Sequence, residues 1–98
     1  MANKVKISSL AQKDLMESSE WYDEQTSGLG ERFAEIIHSD INTIVKDPLI
    51  YKKVKSNIRE FVVDQFPYLI IYEYKNEMVN IIRIFHTSRN PKLKYRQK

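Results

Sequence analysis

Apolar residues from position 29 to 46 recur every three or four positions, the spacing of one face of a helix. Pro48 disfavours a helical conformation at Asp47, so the pattern predicts a helix from about Leu29 to Lys46. The positions that form this apolar face are Leu29, Phe33, Ile36, Ile37, Ile41 and Ile44. His38 lies beside that face and is interpreted as a polar surface neighbour.

An earlier helix is predicted from the Ser9-Leu10-Ala11-Gln12 segment to about Gln25, because Ser followed three residues later by Gln resembles a capping box. Its apolar side comprises Ala11, Leu15, Ser18 and Tyr22, with Trp21 at the border of that side. The short connection through Gly28 predicts that the two helices form a hairpin.

The remaining apolar runs have the composition of strands. Val5 and Ile7 alternate with polar residues, as in a short half-buried strand. A brief extension is expected at 51–54, followed by strands within 57–65, 66–75 and 77–85, which form an antiparallel meander. We therefore predict an α+β fold of order β-α-α-β-β-β, with the helical hairpin packed on one face of a small antiparallel sheet.

Composition limits the class of protein. The 98 residues are expected to form a single domain, 1–98, and the absence of cysteine excludes disulfides and thiolate metal sites. No apolar run approaches the ~20 residues of a membrane span, and the N-terminus lacks a signal-peptide core. We expect a cytoplasmic protein without cofactor, metal site or membrane contact.

Charge is distributed unevenly along the chain. Residues 11–50 carry nine acidic and three basic side chains, whereas residues 83–98 carry six basic side chains and no acidic one. Two segments of opposite charge predict a molecule with an acidic side and a basic side. The residues proposed to bind an anion or an acidic partner are Arg59, Arg83, Arg89, Lys92 and Lys94. A structural alternative pairs Arg83 with a cross-strand carboxylate such as Glu73, since the strand register, and with it the face that carries Arg83, is left open.

The predicted meander ends at His86 and Arg89. An imidazole titrates near neutral pH and a guanidinium binds phosphate, so this end of the sheet is suited to an anion. If the protein cleaves RNA, the catalytic candidates are His86, Arg89 and Tyr95. The structural alternative for His86 is a hydrogen bond to backbone, and Tyr68, Tyr72 and Tyr74 are interpreted as sheet packing.

Over nearly its whole length, from Val5 to Pro91, the chain resembles the RelE/ParE superfamily of bacterial toxins from type II toxin–antitoxin pairs. The resemblance depends on the order and spacing of Asp14-Leu15, Trp21-Tyr22, Gly28-Leu29-Gly30, Asp47-Pro48, Ile58-Arg59, Phe66-Pro67-Tyr68 and His86-x-x-Arg89-x-Pro91. It implies a plasmid-stabilisation type of toxin that is neutralised by a cognate antitoxin, as a possible dimer or toxin–antitoxin hetero-oligomer.

The resemblance leaves the target open between DNA gyrase and the ribosome with its mRNA. The ribonuclease branch places lysines and an arginine at positions that look like Glu60, Val62 and Leu69 in this chain. Arg89 and Tyr95 do match a late arginine and tyrosine of that branch. The missing cations favour a ParE-like gyrase inhibitor over a RelE-like ribosome-dependent mRNA endoribonuclease. A non-toxic antitoxin-binding module is the third alternative.

Overall fold

The computed structural model describes residues 3–88. Two helices and five strands follow in the order β1 Lys4–Ile7, α1 Ser9–Gln25, α2 Leu29–Lys46, β2 Lys52–Lys55, β3 Ile58–Val62, β4 Tyr68–Lys75 and β5 Met78–His86. The predicted α+β class and helical hairpin are confirmed. The segment expected to extend briefly is a full strand, β2.

The five strands form one sheet in the order β1-β5-β4-β3-β2. Strands β2 to β5 are the predicted antiparallel meander, but β1 runs parallel to β5, with Lys4 opposite Met78 and Ile7 opposite Ile81. The sheet is therefore mixed rather than wholly antiparallel. Strand periodicity shows which residues alternate between the two faces of a sheet, but not which distant strand they pair with. The parallel pairing of β1 with β5 therefore could not be predicted from periodicity.

Helix α1 has the predicted span but a different cap. The N-cap is Ser8, whose hydroxyl oxygen accepts from the Ala11 amide at 3.0 Å. Ser9 is the first helical residue, and the side-chain amide of Gln12 donates to the Ile7 carbonyl at 3.0 Å. The capping pattern thus begins one residue earlier than predicted, because Ser8, which follows β1, has the extended conformation of an N-cap residue.

The hairpin between the helices depends on Gly30. Its amide donates to the Asp23 carboxylate at 2.7 Å, and a Cβ at this position would collide with the Ser19 carbonyl oxygen. Gly28, just before α2, has φ of +88°, a left-handed conformation that glycine adopts without a steric penalty. Together the two glycines bring α2 back against α1.

The core lies between the helices and one face of the sheet. Phe33, Ile37, Ile41 and Ile44 of α2 are buried, as predicted. Leu15 and Tyr22 of α1 were also expected to be buried, but they are half-buried at the margin of this core. The sheet side of the core consists mainly of Tyr68, Ile70, Tyr72, Val79, Ile81 and Ile84. On the opposite face Ile71, Ile82 and Phe85 form a second buried cluster.

Candidate functional site

The end of β5 brings an imidazole and a phenol together. His86 pairs with Tyr68 across β4 and β5, and the two rings meet edge to face with centroids 5.0 Å apart. The Ser88 amide donates to His86 Nδ1 at 3.1 Å, and the Ser88 hydroxyl lies 2.7 Å from the same nitrogen. Since an amide only donates, Nδ1 is an acceptor, and the neutral ring carries its proton on Nε2. His86 is thus oriented by backbone, as its structural alternative anticipated.

Helix α1 completes a pocket beside this pair. Glu17, Ser18 and Trp21 line it together with Tyr68, His86 and Ser88, and its volume is about 370 Å³. The Tyr68 hydroxyl donates to the Ser18 hydroxyl at 2.9 Å, and this hydrogen bond joins β4 to α1 at the pocket. Trp21 is 55% exposed, so the indole expected at the core edge instead presents a large apolar surface to solvent.

Tyr22 lies beneath this pocket and packs against Trp21 and Tyr68. Burial, followed by the charge and hydrogen bonding of Tyr68, raises the pKa of Tyr22 to about 12. The phenol therefore stays neutral at physiological pH. Its ring contacts with Trp21, Phe33, Phe66 and Tyr68 make Tyr22 a packing residue.

Arg83 belongs to a buried ion pair. Its guanidinium donates to both carboxylate oxygens of Asp14 in α1, with Nε 2.7 Å from one and Nη2 3.0 Å from the other. Each residue is only 7% exposed. The structural alternative for Arg83 named the wrong carboxylate: Glu73 lies opposite Asn80, and Arg83 lies opposite Ile71. Arg83 has a structural role that joins α1 to β5.

Arg59 also has structural partners. Its Nη1 donates to the carbonyl oxygens of Leu49 at 3.1 Å and Tyr51 at 2.8 Å. These bonds hold the segment between α2 and β2 against the sheet. Tyr72 supports the same segment, because its buried hydroxyl donates to the Pro48 carbonyl at 2.6 Å. The binding role predicted for Arg59 remains a prediction.

The sheet positions that correspond to the ribonuclease cations lie side by side. Val62 of β3 is opposite Leu69 of β4, and Glu60 is opposite Ile71 on β4 and Lys52 on β2. Val62 is 72% exposed. The three positions supply two apolar side chains and one carboxylate, none of which can neutralise charge on a phosphate.

Arg89, Lys92, Lys94 and Tyr95 lie outside the described residues, so their predicted roles stay predictions. Within residues 3–88 no group of three or more His, Cys, Asp or Glu side chains could hold a metal ion. Over the same residues no helix is long and apolar enough to cross a membrane.

The packing of α1 over the end of β5 was not predicted from periodicity, since Asp14 and Glu17 have the composition of a solvated helix face.

The model of the family described as the ParE toxin of the type II toxin-antitoxin system, parDE, matches residues 5–91. The chain belongs to the ParE toxin family. A search of the curated proteins found no match. Among solved structures the fold is similar to one titled the chromosomal ParDE TA system from P. aeruginosa, with a TM-score of 0.78 and 14% sequence identity. That match covers 89% of this chain and 98% of the other. The match to the ParE family confirms the resemblance to the superfamily and identifies the chain as a type II toxin.

Proposed function

We propose that the protein is a gyrase inhibitor of the ParE kind, acts in the cytoplasm, and is neutralised by a cognate antitoxin. The observation that carries the proposal is the match of the ParE family model over residues 5–91. In this proposal the toxin acts by binding a protein target and needs no catalytic residue. The target is DNA gyrase, and the antitoxin competes for the toxin by covering its surface.

The chemistry of the sheet supports binding over catalysis. Cleavage of RNA through the 2′-hydroxyl needs a general base, a general acid and cations for the charge that develops on the phosphate. Glu60, Val62 and Leu69 supply no cation at the positions where the ribonuclease branch has them. Exposed Trp21 at the His86 pocket is, in contrast, the kind of side chain that anchors protein interfaces.

A ribosome-dependent mRNA endoribonuclease is the second candidate, and His86 is the observation that favours it. The imidazole is half-buried at the wall of an open pocket, with Nδ1 occupied by Ser88 and the proton on Nε2. As the imidazolium, such a side chain would donate a proton to a leaving oxygen. Arg89 and Tyr95 would complete such a site.

Parallel assays separate these functions. We expect the purified protein to inhibit supercoiling by DNA gyrase and to leave translation in a cell-free system unchanged. Inhibition of translation with cleaved mRNA and normal supercoiling would support the ribonuclease. Absence of both activities, with antitoxin binding retained, would identify a non-toxic binding module and contradict the proposal.

Two substitutions then test the end of β5. Arg89→Ala should lower toxicity with little change in thermal stability, the result expected if Arg89 binds the target rather than the rest of the fold. His86→Gln should have a mild effect on gyrase inhibition, whereas it would abolish RNA cleavage, since an amide cannot transfer a proton at neutral pH. A folded, fully toxic Arg89→Ala/His86→Gln double variant would show that the working surface lies elsewhere.

A further inference from the structure

Strand β2 ends the sheet on the side away from β1. It pairs with β3 on one side, and among residues 3–88 the backbone of Lys52, Lys53 and Val54 has no hydrogen-bonded neighbour on the other. A row of unpaired amides and carbonyls at a sheet edge is a template for an added strand. The edge is thus competent to receive an extended segment of a partner.

An apolar notch lies at one end of this edge. Lys52 is opposite Glu60, so Phe61 and Val62 extend β3 beyond the start of β2. The space next to them, about 550 Å³, is lined mainly by apolar surface, including Ile50 at 70% exposure and Val62 at 72%. Leu49, which precedes Ile50, is 61% exposed. These three make up half of the large exposed hydrophobic side chains of the described residues, which are Val5, Met16, Trp21, Leu49, Ile50 and Val62.

The charge of the edge indicates the chemistry of its occupant. Lys52 and Lys53 are exposed and point to opposite faces of the sheet, because successive strand residues alternate. A strand added along β2 would therefore meet a lysine on each face. Acidic side chains at neighbouring positions of the partner would complement both lysines.

The other edge of the sheet lacks the apolar component. Strand β1 carries exposed Lys4 and Lys6, but Val5 is its one exposed large hydrophobic side chain, at 45%. The two edges have similar charge and differ in the notch. This difference makes β1 a matched control.

We propose that the β2 edge and its notch bind an extended acidic segment of the antitoxin as an additional strand. An apolar side chain of that segment fills the space between Ile50 and Val62, and acidic side chains lie beside Lys52 and Lys53. The proposal rests on the proposed neutralisation by an antitoxin and specifies where and how the antitoxin binds. Main-chain hydrogen bonds would supply affinity, and the notch and lysines would supply specificity.

Calorimetric titration of the toxin with the antitoxin encoded beside it tests this site. Lys52→Glu/Lys53→Glu should weaken binding by at least about tenfold, because like charges would then face each other along the added strand. Lys4→Glu/Lys6→Glu makes the same change of charge at the other edge and should alter the Kd by less than about twofold. Val62→Asp should weaken binding, whereas Met16→Asp, a similar change at an exposed site on α1, should not. Circular dichroism verifies that each variant is folded.

Hydrogen exchange of the complex supplies an independent measurement. Binding of an added strand should slow exchange of those β2 amides that face away from β3, which alternate along Lys52, Lys53 and Val54. Equal weakening by both lysine pairs would show general electrostatic attraction and overturn the proposal, as would unchanged exchange along β2. If the unaltered toxin bound no antitoxin, the proposed neutralisation itself would fail, which is a different result from normal binding that is indifferent to the β2 variants.

Discussion

Asp14 is the side chain that joins the first helix to the last strand. Its carboxylate accepts from the Arg83 guanidinium, and it also accepts from the Ile84 amide at 3.0 Å. Strand β1 covers β5 only as far as Ile81, so the edge beyond it needs another partner. Ser8 contributes there as well, since its hydroxyl donates to the Ile82 carbonyl at 2.8 Å. The side chains of Ser8 and Asp14 thus supply hydrogen bonds to the part of the β5 edge that β1 does not cover.

Removal of the Asp14 carboxylate should therefore be costly. We expect Asp14→Ala to lower the free energy of unfolding by about 3–5 kcal/mol, because it leaves a buried guanidinium without its partner. Asp14→Leu/Arg83→Met should recover part of that loss, because no buried charge is left unpaired, with about 1–3 kcal/mol remaining because the Ile84 amide still lacks an acceptor. Urea denaturation measures both values. An Asp14→Ala variant as stable as the parent would contradict the structural role of the pair.

Tyr72 should make stability depend on pH in the alkaline range. Burial raises its pKa to about 12, and the nearby Arg59 charge offsets only part of that effect. A folded-state pKa above the unfolded value near 10 means that folding disfavours the phenolate. The contribution is fully present below pH 10 and is lost as the pH rises towards 12, with a slope of at most about 1.4 kcal/mol per pH unit.

Tyr72→Phe checks this dependence. It should cost about 1 kcal/mol at pH 7, where the hydrogen bond to the Pro48 carbonyl is lost, and it should flatten the decline of stability above pH 10. Urea denaturation between pH 7 and 11 gives both results. Tyr51→Phe is the control, since it removes the same hydroxyl from a half-buried tyrosine. An unchanged alkaline slope in Tyr72→Phe would show that other groups cause the decline.

The helices are the elements that the sequence predicts best. Their bounds follow from apolar spacing, Gly28 and Pro48, all of which act within a few residues of the chain. The sheet is predicted less completely, because the β1–β5 pairing joins residues at opposite ends of the sequence. The candidate site is predicted only in part: His86 was identified, whereas the contributions of Glu17 and Trp21 depend on how α1 is placed over the sheet.

The face of α2 that packs on the sheet can be tested at Ile37, which is fully buried. Ile37→Ala should destabilise the protein by about 2–5 kcal/mol, the range for loss of a large aliphatic side chain in a core. Met16→Ala, at a side chain that is 56% exposed, should change stability by less than about 0.5 kcal/mol. Thermal or urea denaturation of the two variants gives the comparison, and similar values for both would contradict the packing of α2.

The turn between β4 and β5 contains a residue whose replacement should raise the stability of the protein. Asn76 and Glu77 have φ of +54° and +60°, the left-handed region at both central positions of a two-residue hairpin turn. Asn tolerates this conformation, but a glutamate there is strained, and glycine is preferred at the second position. We expect Glu77→Gly to stabilise the protein by about 0.5–1 kcal/mol, the reverse of the effect of glycine elsewhere in the chain. Glu24→Gly, at an exposed position of α1, should be destabilising. The denaturation midpoints of the two variants would show the opposite effects.

At the scale of the whole molecule, both edges of the sheet are short strands rich in lysine, which limits pairing between copies. Loss of β1 should remove this protection on one side. We expect a variant that lacks residues 1–7 to expose the β5 edge from Met78 to Ile81 and to self-associate, as seen by size-exclusion chromatography with light scattering. A variant that lacks only residues 1–2 is the control. A monomeric, stable protein without residues 1–7 would show that β1 is dispensable.

The hydrogen bond between Ser8 and Ile82 spans 74 positions of the sequence and also has a consequence in time. A ribosome that adds ~5–20 residues per second needs about 4–15 s to travel from one to the other. Throughout that interval the first strand and the Asp14 carboxylate have been synthesised but their partners have not. The sheet is complete only once β5 has been made, so a chain that stops before β5 cannot adopt the finished fold.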